Sequence, residues 1–109
     1  MRIAQVTSYF EPHIGGVETH VRELSRELVR RGHEVTVLTA DTEGVGERGA
    51  FGGFDIVRVP AHSMWFKTPS MPALADAIAR GGFDLVHSHT PPPLAAWRAS
   101  RACRRLRIP

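Results

Sequence analysis

The sequence predicts an α/β fold with a mainly parallel sheet, and three observations carry that prediction. Arg2–Ser8 alternates apolar with polar residues as a half-buried strand does, Val17–Arg31 shows one apolar stripe at helical spacing, and Glu34–Thr39 is a β-branched run. Strand, helix and strand are therefore complete by residue 39, and a right-handed crossover is the connection that joins parallel strands in so short a span. Further along, Phe83–Ser88, F-D-L-V-H-S, has the apolar centre of a strand covered on both faces.

Each element has its own justification. The stripe of the first helix runs through Val17, Val21, Leu24, Leu28 and Val29. Glu18–Arg22 and Glu27–Arg31 are i,i+4 pairs of the favourable orientation, and Gly32 provides the stop. From Asp41 to Phe54 the chain holds Gly44, Gly46, Gly49, Gly52 and Gly53 without a sustained period, which reads as a surface loop. Asp55–Val59 is a third strand closed by Pro60, and Ala61–Pro72 is irregular, with Met64, Trp65 and Phe66 between prolines. Leu74–Ala79 supports a short helix stopped by Gly81-Gly82, and Pro91-Pro92-Pro93 opens a last helix over about Leu94–Leu106. In that helix Leu94, Trp97, Ala102 and Leu106 form the stripe expected to cover the sheet. Arg107-Ile108-Pro109 reads as a loop leading into a fifth strand, so a fragment of a larger fold is expected.

The 109 residues suffice for one domain with a core, and 42% hydrophobic with 23% charged residues is the balance of a globular chain, not of a disordered or collagen-like one. Charged or polar residues interrupt every apolar run, and the amino terminus lacks the layout of a secretory signal, so a cytoplasmic location is expected. The lone Cys103 closes no internal disulfide and reads as an inert helix residue. The net charge of +3 is uneven: Arg98, Arg101, Arg104, Arg105 and Arg107 follow Asp84, the last acid. That basic end suits either an anionic partner or the solvated face of a helix; nucleic acid is not the expected partner.

The segment with the most chemistry is Glu11-Pro12-His13-Ile14-Gly15-Gly16-Val17-Glu18, between the first strand and the first helix. No Ser, Thr, Asp or Asn stands at the helix start, so its first N–H groups lack a side-chain cap and point toward whatever lies at the strand ends. Two glycines allow close approach and positive φ, and the helix dipole favours phosphate there, with Glu18 partly opposing it. A plain turn is the alternative. A nicotinamide site, with Asp41 as its acid, is disfavoured because G-x-G-x-x-G is absent and Tyr9–Gly15 separates strand from glycines. His87 and His89 share a face at a strand's carboxyl end and read as structural groups shaping a crevice; no metal site is expected. His20, beside the apolar stripe, reads as packed.

Met1–Thr39 and Phe83–Pro92, F-D-L-V-H-S-H-T-P-P, together resemble the amino-terminal part of glycosyltransferase family 4. The resemblance implies a Rossmann-like three-layer α/β/α domain, the acceptor-side half of a retaining GT-B enzyme, occupying residues 1–109 and lacking the donor domain. It implies transfer from a nucleotide diphosphate sugar to a hydroxyl acceptor, small or lipid-linked, with no tightly bound cofactor. Gly15, Gly16 and Val17 match the loop that meets the donor diphosphate. Tyr9, Phe10, Pro12, His13, Thr90 and Pro91 fall where acceptor contacts are found. The histidine loop of the family would lie beyond Pro109, so the chain alone is expected to be inactive. Trp97 beside arginines is compatible with peripheral membrane contact at the inner face. A non-catalytic Rossmann-like interaction module is the competing reading.

Overall fold

A computed structural model of the chain describes residues 1–8, 10, 15–41, 48–60, 64–65, 68–69, 71–89 and 93–109. The elements follow the order β1 (Arg2–Val6), α1 (Gly16–Arg30), β2 (Glu34–Asp41), β3 (Arg48–Phe51), β4 (Phe54–Pro60), β5 (Met64–Trp65), β6 (Thr68–Pro69), α2 (Leu74–Gly81), β7 (Leu85–Ser88) and α3 (Pro93–Leu106). The main sheet has the order β3-β4-β2-β1-β7, parallel throughout except for β3 at one edge. β5 and β6 pair with each other as a separate antiparallel ribbon. Counted over the parallel strands the order is third, second, first, fourth, which is the arrangement of a Rossmann-like half-sheet.

Alternation along the strands sorts the core into two layers. Val35, Val37, Phe54 and Ile56 meet Val21 of α1 on one face, with Leu28 and Val29 packed against them. Ala4, Val6, Leu38, Ala40 and Val59 meet Leu74 and Ile78 of α2 and Ala95, Ala99 and Ala102 of α3 on the other. The result is the three-layer α/β/α sandwich that the family resemblance implies. At the amino end of the sheet Arg2 ties the layers together, donating to Glu34 Oε2 and to the Gly81 carbonyl, each at 2.7 Å. On α1, Glu27 pairs with Arg31 at 3.1 Å, as its spacing predicts, and with Arg30 at 2.8 Å.

Three sequence expectations need correction. The segment expected as a loop contains β3, which pairs with β4 so that Phe51 stands opposite Phe54 across Gly52 and Gly53. Both glycines have positive φ, +56° and +90°, as the two central residues of a tight twisted hairpin do. Four residues, R-G-A-F, are too few to show a period, and the glycine pair is what marks the turn. Among the described residues, the stripe expected on α3 holds only at Ala102, which is buried together with Ala95 and Ala99, whereas Trp97 is 54% exposed and Leu106 is exposed. Small residues at this spacing let the helix lie close to the sheet, and the bulky side chain is left outside. On α1 the buried positions are Glu18, Val21 and Ser25, whereas Val17 is exposed. Past Leu106 the chain turns so that the Pro109 carbonyl accepts the Val86 N–H at 2.9 Å, alongside β7.

Candidate functional site

β1 lies between β2 and β7, and the chain reaches these neighbours through helices on opposite faces of the sheet. Such a switch point leaves a crevice beyond the carboxyl ends of the two strands, where open α/β sheets bind ligands. A cavity of about 340 Å³ lies there, walled by Gly16, Val17 and His20 from α1 and by His87, Ser88 and His89 from the end of β7. The two segments singled out by the sequence are thus brought together although 71 positions separate Gly16 from His87 on the chain.

The α1 wall begins at Gly15, the N-cap, whose backbone is extended (φ −173°, ψ −176°) and which supplies no side-chain cap. Its carbonyl accepts the Thr19 N–H at 3.1 Å and the Thr19 hydroxyl at 2.9 Å. Neither Gly15 nor Gly16 has positive φ, so the pair serves space rather than handedness. A Cβ on Gly15 would run onto the Glu18 carboxylate, whereas a Cβ on Gly16 would meet nothing within 4 Å. Glu18 is buried and lies against Gly15, outside the cavity wall. Its charge nevertheless stays within the first turn and opposes an anion at the helix end.

The β7 wall is built from imidazoles. His89 extends the β1–β7 ladder by donating its backbone N–H to the Val6 carbonyl at 2.9 Å, and the residue is 8% exposed. Its Nε2 lies 2.6 Å from Oε1 of buried Gln5 on β1. His87 projects to the same face, as alternation predicts, and stacks on His89 with centroids 4.2 Å apart and planes tilted by 35°. His20 stands edge-on to His89 at 5.7 Å. Burial, and then the neighbouring His87 and His20, lower the pKa of His89 to about 4. His89 is therefore neutral at pH 7, and among the described residues no group of three or more His, Cys, Asp or Glu could hold a metal ion.

His20 is exposed and lines the cavity instead of packing into the core. The signal for this was present, since His20 stands four residues after Gly16 on the same helix face. Gln5 was missed altogether, because a polar residue inside an alternating strand reads as solvent-facing until its neighbours are known. Phe10 is 3% exposed and packs against Phe54 with centroids 6.0 Å apart, within the α1-side core. Tyr9, Pro12, His13, Thr90 and Pro91 lie outside the described residues. Cys103 packs against the core, and burial raises its thiol pKa.

Sheet order and layering together define an α/β domain of the Rossmann-like class. The chain belongs to glycosyltransferase family 4, whose model, Glycosyltransferase Family 4, matches residues 14–109. Among curated relatives, the phosphatidylinositol N-acetylglucosaminyltransferase gpi3 subunit of Schizosaccharomyces pombe is 34% identical over 91 residues, covering 77% of this chain and 20% of the relative. A GDP-mannose-dependent alpha-mannosyltransferase of Corynebacterium glutamicum is 31% identical over an alignment of 116 positions, covering 100% of this chain and 28% of the relative. Among solved structures, sucrose-phosphate synthase from Thermosynechococcus elongatus superposes with a TM-score of 0.62 at 19% identity, over 97% of this chain and 30% of that one, which shows the shared fold. The chain spans about a fifth of the length of the first two curated relatives it matches.

Proposed function

We propose that this chain is the acceptor-side lobe of a retaining glycosyltransferase that moves a sugar from a nucleotide diphosphate sugar to a hydroxyl acceptor. The observation that carries the reading is the open side of Gly16: at the switch-point cavity, beside a helix end without a side-chain cap, no Cβ blocks approach to the backbone. Charge builds on the departing diphosphate during transfer, and the amides of Gly16 and Val17 are fixed donors that would stabilise it without reorganising. Gly15 holds the turn and leaves room for the Glu18 carboxylate. The acceptor belongs on the same side, near the loop that contains Tyr9, Pro12 and His13 and near Thr90 and Pro91. The nucleotide sugar needs a second lobe for its nucleoside, and the relative that names GDP-mannose as its donor supports this donor class.

The test is calorimetric titration of the chain with GDP-mannose and with inorganic pyrophosphate, in the wild type and in Gly16→Val. A valine side chain occupies the open space, so the variant is expected to lose diphosphate binding while its unfolding midpoint stays unchanged. Equal affinity in both proteins would remove the glycine loop from the mechanism. Sugar transfer by this chain alone would contradict the division of labour between two lobes.

A second surface supports peripheral contact with an anionic membrane. Trp97 and Arg98, Arg101 and Arg105 of α3 border a cavity of about 400 Å³ with Pro72 and Ala75, and the Arg101 guanidinium lies 5.0 Å from the centroid of the Trp97 ring. Among the described residues no helix is long and apolar enough to cross a bilayer, so contact would be interfacial. Co-sedimentation with phosphatidylserine vesicles, weakened by Arg101→Glu, is the expected result; equal sedimentation of the two proteins would dismiss the surface.

A further inference from the structure

Gln5 is anomalous for its position. It is 1% exposed on the α1 face of β1, on a face it shares with Ile3, and its register partners are Val37 on β2 and His87 on β7. A buried primary amide without a partner costs about 1–3 kcal/mol, so a polar group kept in such a place needs an explanation. Its Oε1 faces Nε2 of His89 at 2.6 Å. A carbonyl oxygen only accepts, so the ring must donate from Nε2, and in the neutral ring Nδ1 then carries a lone pair.

We propose that Gln5 is a positioning residue of the cavity: it fixes His89 as the Nε2–H tautomer, and the fixed ring holds His87 where it donates a hydrogen bond to an anionic diphosphate. The inference rests on the donor reading given above. The geometry is a relay in three steps. Gln5 is immobilised in the sheet, His89 is pinned by its ring hydrogen bond and by its backbone bond to Val6, and His87 stacks on His89 with its own ring exposed at the cavity. The titratable groups facing His89 are His87 on β7 and His20 on α1, while Gln5 on β1 is uncharged. His87 and His20 line the cavity while His89 is buried behind them, so a diphosphate arriving there meets the rings of His87 and His20 first.

The experiment uses the chain with ¹⁵N-labelled histidine and inorganic pyrophosphate as the probe. Without ligand, His89 is expected as the neutral Nε2–H tautomer at pH 6 to 8. An Nδ1–H tautomer, or a His89 ring that is protonated at pH 6, overturns the role of Gln5. Gln5→Met, close in volume but without an acceptor, is expected to release the tautomer and weaken pyrophosphate binding. Should Gln5→Met fail to fold, His87→Ala decides: it is expected to leave the His89 tautomer intact and weaken pyrophosphate about tenfold, the worth of one charge-assisted hydrogen bond. Unchanged affinity in His87→Ala overturns the contact. If pyrophosphate does not bind the wild type at all, the donor reading and the ligand half of this inference fall together, whereas the tautomer result judges Gln5 by itself.

Discussion

At the scale of single residues, three glycine positions do different jobs that the letter G alone does not distinguish. Gly16 leaves open space at the cavity wall, and Gly82 ends α2 in the left-handed region at φ +62°. Gly81 makes room for a neighbour: a Cβ there would overlap the Phe83 ring, which itself closes the α2 side of the core. The ring is attached to the chain only two residues on and is buried, so it has no free direction to move. Gly81→Ala is therefore expected to destabilise the fold by about 1–3 kcal/mol, the range for overpacking a filled core. Gly16→Ala meets open space and is expected to be near neutral. Urea unfolding of the two variants checks the contrast, and equal effects would mean that the ring relaxes freely.

At the scale of elements, legibility tracked how each segment is buried. β1 and β2 were readable from their apolar and β-branched residues, although both strands are buried on both faces, and α1 from a stripe long enough to fix a period. The histidine pair at the end of β7 was readable because the alternation of an extended chain puts positions 87 and 89 on one side. α3 was misread because its contact face is alanine, a residue that carries little hydrophobic signal, while its large apolar side chain faces solvent. The hairpin of β3 and β4 was missed because Gly52-Gly53 sits in a segment rich in other glycines. What no single-chain pattern could supply is the partner of Gln5, which lies 84 positions away at His89. The α3 assignment has a measurable consequence. Ala99→Leu should push the helix off the sheet and cost about 1–3 kcal/mol, whereas Trp97→Ala should stay within about 0.5 kcal/mol, as exposed positions do. Thermal unfolding distinguishes the two, and a larger loss from Trp97→Ala would restore the stripe read from the sequence.

At the scale of the whole molecule, His89 joins the cavity to folding itself, because its ring is buried between the first strand, the first helix and the last strand. The unfolded chain takes up a proton at this residue near pH 6.5, while the folded protein resists it down to about pH 4. Between those values the unfolded state binds more protons, so stability is full above pH 6.5 and falls as the pH drops toward 4. At about 1.4 kcal/mol per pH unit, the loss between pH 7 and pH 5 is expected to be about 2 kcal/mol. Glu27 acts in a separate, lower window: Arg30 and then Arg31 hold its pKa at about 2 against an ordinary 4.5, so its contribution disappears only below pH 4.5, and being exposed it weighs little. His89→Gln keeps a donor for Gln5 and removes the titration, so its urea midpoint should be nearly flat from pH 7 to pH 5 where the wild type declines. Parallel declines in the two proteins would show that the folded ring accepts a proton at its ordinary pKa, and the buried, neutral imidazole that anchors the cavity wall would have to be abandoned.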